Sequence, residues 1–184
     1  MTRMPALRTA LLTGVLLLGA ATAFAQGPRL QLQTLDRLAA RAADSTEVEL
    51  DPNLLRMAGT VIAAERPADA GLTEAVAGLE GVYVRSFQFA EGQSYEPSDL
   101  DAIRKQLTTG NWSRVVRAQS KADGETVEVY VWRDGEKTGG LAVLVMEPRE
   151  VTVVNLIGSL DLAKLAALQG KFGVPASVVP DSPR

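Results

Sequence analysis

Residues 112–158, WSRVVRAQSKADGETVEVYVWRDGEKTGGLAVLVMEPREVTVVNLIG, decide the fold. Four β-rich runs cover 113–120, 126–133, 138–147 and 150–157. Asp123-Gly124 and Asp134-Gly135 separate the first three, and such pairs supply the positive φ angles that hairpin turns demand. Pro148-Arg149 joins the last two, where a proline interrupts pairing locally. Strands joined by successive hairpins make an antiparallel sheet the economical arrangement.

Upstream, Pro97 opens a helix with Leu100, Ile103 and Leu107 aligned, and Asp99 and Asp101 stand in its first turn, where carboxylates favour the positive end of the dipole. Gly110 ends it. Val82 to Phe89 reads as a strand after Gly81, preceded by a short helix over 72–79 and a Pro/Gly connection over 66–71. Asp51-Pro52 starts another helix as N-cap and first helical position, with Leu54, Leu55, Ala58, Val61 and Ile62 as its buried face. Before it, residues 45–50 alternate as a short half-buried strand. Leu32, Leu35, Leu38, Ala39 and Ala42 form one apolar stripe on a helix of about three turns. Downstream of the sheet, Leu162, Leu165 and Leu168 mark a final helix, and Pro175, Pro180 and Pro183 lie in a loose tail. The order predicts an α+β domain: a mostly antiparallel sheet of five to six strands with helices packed on one face.

The N-terminal residues read as a secretory signal peptide. Arg3 and Arg8 supply the charged region, the apolar run from Ala10 to Ala21 is too short to span a bilayer, and Ala23-Phe24-Ala25 gives the small-x-small cleavage pattern. Residues 1–25 are thus the expected leader, 26–172 a single domain and 173–184 a flexible tail. With no cysteine in the chain, the product is expected to be unlipidated, without disulfides and with no membrane anchor after cleavage, in the periplasm or secreted.

Removing Arg3 and Arg8 from the 19 basic residues leaves 17 against 22 acidic ones, a mature net charge of about −5. No Lys/Arg cluster stands out in the sequence, so nucleic acid is not an expected partner. The chain has no histidine. Serine and cysteine triads and imidazole- or thiolate-based metal sites are therefore excluded, which shifts the reading toward a non-enzyme without cofactors.

The leader with its following amphipathic helix, the segment Val48-Glu49-Leu50-Asp51-Pro52-Asn53-Leu54-Leu55-Arg56-Met57-Ala58, the Trp/Val-rich meander and the ending Val154-Asn155-Leu156-Ile157-Gly158-Ser159-Leu160-Asp161-Leu162 together resemble the bacterial family known as domain of unknown function 4252. The resemblance covers roughly residues 30 to 170. It implies export, a short chain, no agreed activity and an envelope-stress setting, and it carries over no catalytic residue.

Four groups of residues are candidates for function. On the strand 126–133, Val127, Val129 and Val131 share one face while Glu128, Tyr130 and Trp132 share the other. If the valines face the helices, Glu128, Tyr130 and Trp132 form an exposed interaction surface; alternatively a helix or the N-terminal segment covers them. Glu96, Asp99 and Asp101 lack the spacing of a calcium loop and read better as helix-start carboxylates. Glu147, Glu150 and Asp161 form a second acidic group, read as solvated turn charges. Asn155, inside an apolar run, must find hydrogen-bond partners or face solvent. The expectation is an exported, non-catalytic module that binds an envelope protein or other component, with its oligomeric state open. The alternatives are a carboxylate-dependent hydrolase of envelope glycans or peptides and a small-ligand carrier.

Overall fold

A computed structural model describes residues 27–65 and 77–160 of the chain. The expected leader, final helix and tail lie outside the described residues, as does most of the helix expected over 72–79. A 3-10 turn, Leu32–Leu35, runs into the one-turn helix α1, Asp36–Ala39. Then follow β1 (Asp44–Leu50), α2 (Pro52–Glu65), β2 (Leu79–Gln88), a 3-10 turn (Pro97–Leu100) leading into α3 (Asp101–Leu107), β3 (Trp112–Ser120), β4 (Glu125–Asp134), β5 (Lys137–Met146) and β6 (Glu150–Gly158).

The six strands form one sheet in the order β1-β2-β6-β5-β4-β3, with every neighbouring pair antiparallel. The α+β class and the antiparallel meander therefore stand. After β2 the chain crosses through α3 to the far edge, returns by three hairpins, and inserts β6 beside β2. Gly135, at φ 60°, makes the tight β4–β5 turn that a side chain would strain.

The first helix is shorter than its apolar stripe predicts. Leu32, Leu35 and Leu38 are buried as expected. The helix stops at Ala39, and the Ala43 N–H then donates to Gln88 O, so the chain enters its pairing with β2 before a third turn forms. The face expected for α2 is buried only in part among the described side chains, which do not include that of Ile62. Leu55 is buried, whereas Leu54, Met57 and Val61 are 45–66% exposed. The helix contacts β1 and β2, at the edge of the sheet, and there Leu55 is the side chain that sinks in.

One core cluster joins Leu30, Leu32, Leu35 and Leu38 from the N-terminal strap, residues 27–39, with Leu100, Ile103 and Leu107 around α3, over Phe87, Tyr130, Ala142, Leu144, Val151 and Val153 of the sheet. Asn155, fully buried in β6, fastens the strap. Its Oδ1 accepts from the Leu30 N–H at 2.9 Å, and its Nδ2 donates to Pro28 O at 3.0 Å and Leu141 O at 3.3 Å. The side-chain amide thus replaces the ladder partner that the strap's backbone lacks. Gly140 permits the approach, because a Cβ there would stand 2.5 Å from Pro28 Cβ.

Candidate functional site

The register decides which face of β4 lies under the strap and α3. Glu128 pairs with Leu144 of β5, which pairs in turn with Val153 of β6; Tyr130 pairs with Ala142, which pairs with Asn155. Paired residues in an antiparallel ladder share a face. The apolar side chains of β5 and β6 on this face draw the strap and α3 onto it, and Glu128 and Tyr130 are left 3% and 4% exposed. Trp132 is half-buried against the same cluster. The exposed interaction surface expected on Glu128, Tyr130 and Trp132 is thus corrected: the face is covered, because a sheet face is chosen by all its strands and not by β4 alone. The valine face carries a second cluster of Val127, Val129 and Val143, with Val116, Leu141, Val145 and Val154 half-buried beside it.

Burying Glu128 creates a charge problem that three arginines answer. Arg104 of α3 approaches its Oε2 at 3.9 Å, and Arg114 and Arg117 of β3 approach its Oε1 at 3.8 Å each. These are ion-pair distances beyond hydrogen-bond contact. Among the described residues its close contact is the Tyr130 hydroxyl, which donates to Oε2 at 3.0 Å. Burial, then the Glu128 charge, raises the Tyr130 pKa above its usual 10.0. Arg104 is positioned by donating to Pro97 O and to Met146 Sδ, both at 3.1 Å. The three arginine side chains are 31%, 46% and 49% exposed over a carboxylate that is 3% exposed. Three positive charges against one negative leave a surplus of two, carried on side chains that reach water at the edge of this covered face.

Sequence periodicity hides this group. Arg114 and Arg117 are three residues apart, which places them on opposite faces of a regular strand. The register slips between Arg114 and Val116, so that Arg114 pairs with Tyr130 and Arg117 with Glu128, only two residues apart. The bulge returns both guanidiniums to one face, and Val115, the extra residue, is 48% exposed. A valine pair flanked by arginines on an edge strand is the one trace of it in the sequence.

The helix-start carboxylates take structural roles. Glu96 and Asp99 form a capping box, with the Glu96 N–H donating to Asp99 Oδ2 at 2.8 Å. Asp99 is 7% exposed, accepts a hydrogen bond from Arg41 and lies 3.4 Å from Arg37 Nε. Burial alone raises its pKa, but the Glu96 N–H and the two arginines outweigh it, and the carboxyl sits below its ordinary value. Asp101 stands exposed in the first turn of α3. Glu147 is pushed up by burial and then by the charges of Glu150 and Glu125, whereas Asp161 lies outside the described residues. Among the described residues no group of three or more His, Cys, Asp or Glu is placed to hold a metal ion. The cleft between the strap and β1–β2, lined by Arg29, Leu30, Tyr83 and Arg85 among others, has room for about one water.

The model of the family described as Domain of unknown function (DUF4252) matches residues 40–168. No curated protein matches the chain.

Proposed function

The chain belongs to the DUF4252 family, and from that premise we propose that it is an exported, unlipidated, non-catalytic binding module of the cell envelope that engages an acidic component through Arg104, Arg114 and Arg117. The observation that carries the reading is the set of three arginines, their side chains 31–49% exposed, held around one buried carboxylate. On a chain whose expected mature charge is negative, a local surplus of two positive charges is an electrostatic target for anions. Export rests on the leader pattern ending at Ala25, and the absence of cysteine supports an unlipidated product.

Two measurements test this. N-terminal sequencing of the exported chain is expected to begin at Gln26; a chain still starting at Met1 in the cytoplasm overturns the export reading. On an immobilised polyanion at low salt, the mature protein is expected to be retained and an Arg114→Gln/Arg117→Gln variant to flow through. Equal retention of the two removes the arginine group from the reading.

A further inference from the structure

We infer that the arginine group selects a phosphomonoester dianion over a carboxylate. This rests on the binding reading above and adds the chemical class of the ligand.

The guanidiniums come from two elements, α3 and the bulged edge strand β3, and converge on Glu128 from different sides: Arg104 meets one carboxylate oxygen, and Arg114 and Arg117 meet the other. A guanidinium is a planar fork that pairs two-to-two with oxyanions. A carboxylate has two oxygens and saturates with one or two such forks. A phosphomonoester presents three terminal oxygens in a tetrahedral spread, one for each arginine. Charge points the same way. The surplus of two is neutralised by a dianion and only half neutralised by a carboxylate, and Glu128 beneath repels both.

Arg117 has donors to give, and Arg104 and Arg114 keep N–H groups beyond those spent on Pro97 O, Met146 Sδ and Tyr130. Arg117 meets Glu128 only at 3.8 Å, and the shortest hydrogen bond to that carboxylate comes from Tyr130. An anion at the solvent side of the three guanidiniums therefore gains contacts without breaking a close ion pair. The exposure of these side chains, 31% at Arg104 and close to half at Arg114 and Arg117, leaves that side accessible to a dissolved ligand and to a headgroup alike.

The probes are glycerol 3-phosphate, glycerate and glycerophosphocholine, which present a monoester, a carboxylate and a diester on one skeleton, titrated calorimetrically at low salt. Glycerol 3-phosphate is expected to bind about tenfold more tightly than the other two. Its affinity is expected to rise as pH passes the second phosphate ionisation at about 6, while glycerate shows no such rise. Arg114→Gln/Arg117→Gln is expected to lose about tenfold in affinity with unchanged circular dichroism, and Glu128→Gln to gain affinity. Sedimentation with phosphatidylcholine vesicles containing phosphatidic acid separates the two sources of the group. Binding there with none to glycerol 3-phosphate assigns the monoester to a lipid headgroup, and binding in solution assigns it to a free metabolite. Measurable and equal affinity for glycerate and glycerol 3-phosphate overturns the ligand class while leaving the binding module intact. Polyanion retention and titrations that are all indifferent to the double variant overturn both.

Discussion

Asp99 and Glu128 are both carboxylates buried among arginines, and the molecule holds them in opposite ways. Asp99 is gripped: the Glu96 N–H and Arg41 donate to it directly, and Arg37 closes the set while also donating to Ser98 O and Asp99 O. It ties α1 to the turn that opens α3. Glu128 is surrounded without being gripped, with Tyr130 as its close donor and three guanidiniums standing off at 3.8–3.9 Å. Buried charge that is fully hydrogen-bonded fixes structure; charge that is outnumbered at a distance leaves an unspent field. The same two residue types thus make a clip at one place and a receptive surface at the other.

Breaking the clip has the largest expected effect. Asp99→Ala removes the acceptor of a backbone N–H and two arginines, and is expected to cost about 2–3 kcal/mol in urea unfolding. The pH dependence follows from its lowered pKa. The unfolded chain binds the proton more readily, so this stability is present above the ordinary value of 3.8 and is lost as pH falls from there through the folded value. Asp99→Asn is expected to flatten the acid limb of the stability curve; an unchanged acid limb contradicts the clip.

Tyr130→Phe comes next, at about 1 kcal/mol, because it strips Glu128 of its close hydrogen bond. Here the sign reverses. The raised Tyr130 pKa contributes stability that is fully present below 10.0 and lost as pH rises through the folded value. The variant is expected to soften the alkaline limb and to leave the acid limb alone. Glu128→Gln is expected to cost less than about 1 kcal/mol, since the amide oxygen still accepts from Tyr130 and the arginines remain half in water. Arg117→Gln is expected to stay within about 0.5 kcal/mol of the parent, as exposed ion pairs do. A loss of 2 kcal/mol or more, about that seen on breaking the clip, would make Glu128 a second clip and erase the comparison.

Much of the architecture was legible because it is written locally. Asp134-Gly135 names a hairpin, the alternating valines name a strand, and Leu32, Leu35 and Leu38 name a buried helical stripe. Glu96, Asp99 and Asp101 likewise read correctly as helix-start carboxylates. The arginine group was not legible. Its members come from α3 and β3, and its geometry depends on a bulge at Val115 that inverts the facing of everything beyond it. Asn155 falls between the two cases: the need for partners was readable, but the partners, Pro28 and Leu30, lie more than a hundred residues away in sequence.

By itself, then, the sequence determined the strands, the hairpin order of β3 to β6 and the apolar face of the first helical turns, because hydrophobic period and turn chemistry act between residues close along the chain. Only the tertiary structure decided that β6 closes against β2, that the strap and α3 cover the Tyr130 face, and that three guanidiniums surround Glu128. Each of those depends on pairing register and on contact between distant segments, and a one-residue slip in register exchanges the two faces of a strand.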